Sequence, residues 1–243
     1  MDRRDFLKVT GGSLLAGVTC SYAFQILTSE TTMDEIEPTG KKWGMVIDLN
    51  RCREGCTKCL DACREENNVA FFDDDRWDIH WIRKVKIEPK SHKEATEKSV
   101  LLLCNHCEHP PCAQVCPVQA TYKRHDGIVI VDHHRCIGCR YCMIACPYNA
   151  RMFNFKDNEH YTNKDRPKRS HGVAESCTFC AHRLDLGQPP ACVEACAAEG
   201  TGAIKFGDLN DPDSEVSQII AKNPVKRIRD DLGTEPKVYY LGL

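Results

Sequence analysis

Cysteine spacing constrains the fold of this chain more than any other feature. Sixteen of its 17 cysteines fall into four groups of four closely spaced residues. Quartet one is Cys52, Cys56, Cys59 and Cys63; quartet two is Cys104, Cys107, Cys112 and Cys116; quartet three is Cys136, Cys139, Cys142 and Cys146; quartet four is Cys177, Cys180, Cys192 and Cys196. Thiols at such short spacing favour compact loops around a metal centre, whose coordination then supplies much of the folding free energy. The sequence therefore predicts a fold organised around four groups of metal ligands.

Quartet three indicates the kind of metal centre. It reads C-I-G-C-R-Y-C-M-I-A-C-P, in which two residues separate each of the first three cysteines and the fourth precedes proline. In bacterial ferredoxins this run wraps three thiolates around one [4Fe–4S] cube, and the fourth cysteine binds a neighbouring cube. Four such quartets predict four [4Fe–4S] clusters and a role in electron transfer.

Disulfides or zinc sites would also use many cysteines, but in different patterns. Disulfide-rich scaffolds are usually shorter than about 100 residues and rarely repeat C-x-x-C with C-x-x-x-C. Zinc takes a closed tetrahedron of four ligands, which quartet four would satisfy by itself and quartet three would not. A zinc-stabilised interaction protein is therefore the alternative from a different class. The net charge of −2 gives no basic field, so no nucleic-acid partner is expected.

The outward-facing fourth cysteine predicts that the quartets exchange their last ligand. Quartets two and three are adjacent and both end in Cys-Pro, so we pair them, which leaves quartets one and four as the other pair. The predicted ligand sets are site 1, Cys52, Cys56, Cys59 and Cys196; site 2, Cys177, Cys180, Cys192 and Cys63; site 3, Cys104, Cys107, Cys112 and Cys146; and site 4, Cys136, Cys139, Cys142 and Cys116. The sequence carries no motif for substrate chemistry, so no catalytic residue is assigned and bond-making is expected in another subunit.

The N-terminal residues are predicted to be a targeting segment. Adjacent Arg3 and Arg4 precede a moderately apolar stretch, Val9–Leu27, which is typical of a twin-arginine export signal. Small residues at 21–23 offer a weak cleavage site, while the length of the stretch also fits a retained anchor of about twenty residues. Cys20, the cysteine outside the quartets, is interpreted as an ordinary apolar residue. The segment is therefore a signal or an anchor, and the mature chain is expected outside the cytoplasm.

Short strands before the cysteine loops set the predicted domain organisation. The expected fold is α+β, with two interlocked bacterial-ferredoxin-like modules of two [4Fe–4S] clusters each, inserted loops, a C-terminal tail and a preceding twin-arginine helix. The boundaries are 1–27 for the signal or anchor, 28–42 for a linker, 43–99 and 157–207 for the outer module (quartets one and four), 100–156 for the central module (quartets two and three) and 208–243 for the tail. Strands are predicted at Trp43–Asn50, Val100–Leu103 and Gly127–His134, and the tail is predicted to hold an amphipathic piece, Glu215–Lys222, and a last strand.

Some residues near the cysteines have a secondary role in these predictions. Arg64 stands where a proline would follow Cys63, and its guanidinium would raise the potential of a cluster if it pointed inward, although arginine is more often exposed. His106 and His109 lie between cysteines of quartet two, but no cysteine is missing there, so a hydrogen-bonding or surface role is expected. The charged segment Lys156–Glu175 is predicted to be a solvent-facing insertion.

The block from Cys104 to Lys156, which begins C-N-H-C-E-H-P-P-C-A-Q-V-C-P, carries a family resemblance. It resembles the four-cluster iron–sulfur subunits of complex iron–sulfur molybdoenzymes and of polysulfide- or nitrite-reductase-type complexes. With the twin-arginine leader, the run C-T-F-C-A-H-R-L-D-L-G-Q-P-P-A-C-V-E-A-C and the tail F-G-D-L-N-D-P-D-S-E-V, the chain is most similar to DsrO-type subunits. These are the extracytoplasmic ferredoxin-like subunits of the Dsr membrane complex, also called the Hdr-like menaquinol oxidoreductase.

The resemblance implies a function and a set of partners. The partners are an NrfD-like integral membrane subunit that interacts with quinone, a multihaem cytochrome c, a membrane cytochrome b and a cytoplasmic Hdr-like iron–sulfur subunit. It also implies the same crossed pairing of cysteines. One departure concerns Cys52, which is separated from Cys56 by three residues where the family usually has two, so a three-iron or altered cluster at site 1 stays open. The rival interpretation is the electron-transfer subunit of a molybdopterin-dependent reductase that acts on polysulfide, tetrathionate or a similar substrate.

Overall fold

The computed structural model of this protein describes residues 40–72, 74–87, 98–158 and 161–243. The predicted targeting segment 1–27 and most of the linker 28–42 lie outside these residues. Within the described part, the chain from Gly40 to Leu243 forms one compact unit. It contains both helices and short strands, in agreement with the α+β prediction.

A four-stranded sheet joins the two ends of this unit. Its strands are β1 (Trp43–Asp48), β8 (Ile204–Asp208), β9 (Val225–Lys226) and β10 (Val238–Leu241), in the order β8-β1-β10-β9. The strand β1 pairs antiparallel with β8 and parallel with β10, so the tail is hydrogen-bonded beside the first strand of the unit. The strand predicted at the end of the tail is thereby confirmed.

Three two-stranded antiparallel sheets carry the remaining strands of the described residues. They are β2 (Ile82–Ile87) with β3 (Lys98–Leu103), β4 (Thr121–Lys123) with β5 (Val129–Val131), and β6 (Met152–Phe153) with β7 (Ala174–Glu175). The strand predicted at 127–134 is shorter than expected. The Asp132 carboxylate accepts a hydrogen bond from the His134 backbone N–H at 2.9 Å, which turns the chain into the quartet-three loop.

Most of the short α-helices among the described residues contain cysteines or directly follow them. The helices are α1 (Lys58–Asn67), α2 (Pro111–Gln114), α3 (Tyr141–Ala145), α4 (Ala181–Leu184), α5 (Ala191–Ala198) and α6 (Glu215–Lys222). The helix α6 coincides with the predicted amphipathic piece. It begins where the Ser214 side chain accepts a hydrogen bond from the Ser217 N–H, and it buries Val216 completely. In the part of the chain that the structure describes, no helix combines the length and the apolarity needed to cross a membrane.

The charged segment before quartet four lies largely at the surface, as predicted, but its end turns inward, which corrects that part of the prediction. Residues 173–175 are buried, and Glu175 has no exposed surface. The Arg169 guanidinium donates a hydrogen bond to the Asn67 carbonyl at 2.7 Å and packs over the Trp81 ring. Charge alone predicted a solvent-facing insertion, but hydrogen bonds across the fold compensate these polar groups and hold the end of the segment inside.

A buried ion pair links the tail to quartet two. Lys237 is 2% exposed, and its ammonium group lies 2.9 Å from the Glu108 carboxylate and donates to the Gly127 carbonyl at 3.0 Å. Burial alone would raise the pKa of Glu108, but hydrogen bonds from Lys123, Lys237 and Lys42 hold that pKa well below its ordinary value. Glu108 is therefore ionised at neutral pH and neutralises the buried lysine.

Replacing Glu108 with glutamine is expected to destabilise the fold by about 3 kcal/mol, because the buried Lys237 charge loses its counter-charge. The measurement is the guanidinium midpoint of the far-ultraviolet circular dichroism signal under anaerobic conditions. Glu199→Gln is the matched control, since the exposed Glu199–Lys58 pair at 2.6 Å contributes little. Equal midpoints for the two variants would contradict a stabilising role for the buried pair.

Candidate metal centres

The cysteines of the four predicted sites differ in exposure. All the cysteines of sites 2 and 3 are buried. At site 1 Cys52 and Cys56 are partly exposed, and at site 4 Cys116, Cys136 and Cys139 are partly exposed. Two of the four predicted ligand sets therefore lie inside the protein, and two reach its surface.

The four cysteines of predicted site 3 line a single cavity. Its remaining walls include the apolar residues Pro110, Pro111, Pro147 and Val129 and the charged Arg151. Three of the thiols come from quartet two, and the fourth, Cys146, comes from the C-terminal end of α3. Burial raises the pKa of the Cys104 thiol to about 12, and the neighbouring Cys112 and Cys146 thiols raise it as well. Convergent thiols with apolar walls fit a [4Fe–4S] cluster, which needs four thiolates and a site shielded from water.

Packing of α1 against α5 brings quartets one and four together. Each helix carries two cysteines four residues apart, Cys59 and Cys63 on α1 and Cys192 and Cys196 on α5, so that each pair shares one helix face. Burial raises the pKa of Cys59 to about 12, and among nearby thiols Cys196 raises it most. Burial also raises the pKa of Cys192, and there Cys63 is the thiol with the largest effect. Cys196 of quartet four thus lies beside Cys59 of quartet one, and Cys63 of quartet one lies beside Cys192 of quartet four.

Site 4 is the most open of the predicted sites. Burial raises the pKa of Cys142, and the thiols of Cys112, Cys136 and Cys139 raise it further. The Ala174 backbone N–H donates to the Cys136 sulfur at 3.5 Å. These contacts bring the first three cysteines of quartet three together, and Cys142 also lies beside Cys112 of site 3.

Cys116, the predicted fourth ligand of site 4, lies just beyond α2, which packs against α3. The Thr121 N–H donates to its sulfur at 3.5 Å. Although burial raises the pKa of Cys116, hydrogen bonds from the backbone of Thr121, Val118 and Ala120 lower it below the ordinary value. The turn after α2 therefore favours the thiolate form, which is the form that binds iron.

No group of three or more His, Cys, Asp or Glu side chains closes around a single metal ion among the residues that the structure describes. The four thiols of predicted site 3 line a cavity instead. In a cubane cluster each thiolate binds a different iron atom, so the four ligands stand farther apart than four ligands of one ion.

Sequence reasoning missed the polar side chains closest to the thiols. Arg151 is 3% exposed and donates a hydrogen bond from Nη2 to the Cys112 sulfur at 3.1 Å. Arg64, which the sequence singled out, points away to the Asp78 carboxylate at 3.7 Å. The sequence signal for Arg151 was its place as a lone charge in the run Y-N-A-R-M-F that follows quartet three.

His106 and Phe179 connect the cysteine loops of quartets two and four. His106 is fully buried, its Nδ1 accepts a hydrogen bond from the Val129 N–H at 3.0 Å, and its ring centroid lies 3.7 Å from that of Phe179. His109 is exposed and lies 3.8 Å from Glu235. The two histidines therefore divide between the hydrogen-bonding role and the surface role that the sequence predicted.

Ferredoxin-like cysteine loops on short helices and strands, with buried thiols converging in groups, define the class of this chain as an iron–sulfur electron-transfer protein. Residues 98–209 match the family described as a 4Fe-4S dicluster domain. The chain belongs to the family of [4Fe–4S] iron–sulfur subunits of oxidoreductase complexes.

Three relatives illustrate this family. The chain is 44% identical to the Hdr-like menaquinol oxidoreductase iron-sulfur subunit 1 of Archaeoglobus fulgidus, over 100% of this chain and 98% of the relative. It is 40% identical to the iron-sulfur cluster-binding subunit of menaquinone reductase from Nitratidesulfovibrio vulgaris, over 82% of this chain and 88% of the relative. It is 36% identical to protein NrfC of Escherichia coli K12, over 98% of this chain and 93% of the relative. The resemblance inferred from the cysteine motifs is confirmed.

Proposed function

We propose that this chain relays electrons through four [4Fe–4S] clusters between an NrfD-like, quinone-interacting membrane subunit and a multihaem cytochrome c. The complex would be of the Dsr type, linked to sulfur or sulfite metabolism, and would also hold a membrane cytochrome b and a cytoplasmic Hdr-like iron–sulfur subunit. In this proposal the outer module (43–99 and 157–207) and the central module (100–156) hold the crossed ligand sets of sites 1 to 4. The observation that carries the proposal is the difference in exposure among the thiols: those of sites 2 and 3 are buried, whereas sites 1 and 4 include partly exposed cysteines.

Contacts between neighbouring thiols support the order of the series. Burial raises the pKa of Cys63, and Cys59 of site 1 raises it further, so sites 1 and 2 adjoin. Burial raises the pKa of Cys177 at site 2, and Cys104 of site 3 adds to the rise. The Cys112 thiol of site 3 acts in the same way on Cys142 of site 4. The order is therefore 1-2-3-4, with the buried sites in the middle.

A [4Fe–4S] cluster carries one electron at a time. The protein positions each cluster next to the following one and shields it from water. Burial of the cysteines at sites 2 and 3 limits the access of water to the middle of the series. Partly exposed thiols at sites 1 and 4 let a partner approach each end. This division suits a relay that accepts electrons at one surface and delivers them at another.

The surfaces at the two ends differ in polarity. Ile137, Tyr141 and Ile144, which flank the cysteines of quartet three, are 65%, 58% and 84% exposed. Around quartet one the exposed side chains are polar or charged, among them Arg53 and Lys58, whereas around quartet three exposed arginines lie beside the apolar residues. An apolar surface suits a permanent subunit contact, and a charged surface suits a partner that binds and leaves. We place the membrane subunit at site 4 and the cytochrome at site 1.

Purification of the tagged chain with its native membrane complex tests the proposal. We expect about sixteen iron and about sixteen sulfide per chain, a brown colour that dithionite bleaches, and haem in the same preparation. Molybdenum in place of haem would favour the molybdopterin-dependent reductase instead. A colourless preparation that holds zinc would contradict both.

A further inference from the structure

A buried arginine lies between predicted sites 3 and 4. Arg151 forms part of the wall of the site 3 cavity and is 3% exposed. Its Nη2 donates to the Cys112 sulfur, while its Nη1 is buried with no hydrogen-bond partner among the described residues. Within that same part of the chain, no aspartate or glutamate lies within ion-pair distance of its guanidinium. The positive charge of Arg151 therefore has no carboxylate to balance it.

Sulfur atoms of both sites lie around this charge instead. The Cys112 sulfur, 3.1 Å from Nη2, packs in one buried cluster with Cys142 of site 4, and Cys104 and Cys146 of site 3 share the cavity wall with Arg151. A buried charge without a partner costs several kcal/mol, so the guanidinium depends on negative charge at these sulfurs. Conversely, each added negative charge at either site is stabilised by the same arginine.

The outer module holds a contrasting arginine. Arg169 donates to the carbonyl of Asn67, whose side chain donates to the Cys180 sulfur of site 2 at 3.6 Å. The guanidinium packs over the Trp81 ring, and the ring N–H of Trp81 donates to the buried Glu175 carboxylate at 3.1 Å. The arginine near site 2 therefore comes with a carboxylate, whereas the arginine near sites 3 and 4 does not.

We propose that Arg151 is an electrostatic tuning residue that raises the reduction potentials of sites 3 and 4 above those of sites 1 and 2. Addition of an electron makes a cluster more negative, and an unneutralised cation in a poorly hydrated site stabilises that reduced state. The hydrogen bond to the Cys112 sulfur acts in the same direction at site 3. Sites 3 and 4 of the central module are then reduced in preference to sites 1 and 2. The inference depends on the ligand sets of the proposed function but not on the identity of the partner subunits.

The test is a potentiometric titration of the purified complex, followed by electron paramagnetic resonance. Arg151→Met removes the charge at similar side-chain length. We expect the ratio of reduced to oxidised form at fixed potential to fall at least tenfold for two of the clusters, equal to about 59 mV for a one-electron couple. Arg151→Lys keeps the charge and should shift the ratio less than threefold. The double variant Arg169→Met/Glu175→Gln removes an arginine together with its carboxylate and is the matched control, with a shift also below threefold.

The outcomes separate a tuning role from a structural one. Unchanged potentials in Arg151→Met with full iron content would overturn the proposal, as would equal shifts in the methionine and lysine variants. If Arg151→Met loses iron, Arg151→Gln replaces it. Lower potentials in the glutamine variant than in the lysine variant then support the proposal, and equal potentials, or loss of iron in both, overturn it. Haem or molybdenum in the same preparations reports on the partners separately, so failure of the partner assignment remains distinguishable.

Discussion

Replacing Cys146 with serine is expected to empty site 3 and to leave site 4 loaded, although Cys146 belongs to quartet three in sequence. The reason is geometric, because Cys146 lines the site 3 cavity beside Cys104, Cys107 and Cys112. The turn of helix α3 between Cys142 and Cys146 carries the last thiol away from the loop that holds the other three. The iron content should fall by about a quarter, and the spectrum should match that of Cys104→Ser.

Two further variants make this result decisive. Cys20→Ser is the matched control, since Cys20 lies outside every quartet and its replacement should leave the iron content unchanged. Cys136→Ser removes a ligand that both pairing schemes assign to site 4. If the quartets bind without exchange, the Cys146→Ser spectrum will match that of Cys136→Ser instead, and the crossed ligand sets are then wrong.

Local sequence patterns predicted the helices and strands that a short stretch of sequence defines by itself. The amphipathic piece Glu215–Lys222 is helix α6, and the apolar residues after Lys42 form β1. The family was predicted because cysteine spacing encodes ligand geometry within a single loop. The crossed ligand sets stay a prediction, which the contacts of Cys146, Cys63 and Cys196 support.

Features that depend on distant contacts could not be predicted in the same way. The parallel pairing of β10 with β1 joins the two ends of the described unit, and neither strand specifies its partner by itself. Arg64 and Arg151 both follow a quartet closely, and only tertiary packing decides that the first pairs with Asp78 while the second enters a cavity. Glu175 was predicted to face solvent because its neighbours are charged, but its carboxylate is buried and its Oε2 accepts a hydrogen bond from the Trp81 ring N–H.

Export of the protein is expected to depend on Arg3 and Arg4, which lie outside the described residues. The twin-arginine route carries folded proteins, and this fold needs its iron, because cluster coordination supplies much of its folding free energy. Lysine at both positions keeps the charge but loses the paired arginine signal. The double variant should fold and load iron normally, while its amount outside the cytoplasm falls at least tenfold.

Cell fractionation with anaerobic iron analysis of each fraction measures this effect. Arg51→Lys/Arg53→Lys is the matched control, because it makes the same chemical change at another pair of arginines and should leave export intact. An unchanged extracytoplasmic amount in the Arg3→Lys/Arg4→Lys variant would refute the export signal. An iron-free, degraded protein in the cytoplasm would instead point to a folding role for the segment. Iron-loaded protein retained in the cytoplasm is the expected result, since the clusters must be assembled before a folded chain can be exported.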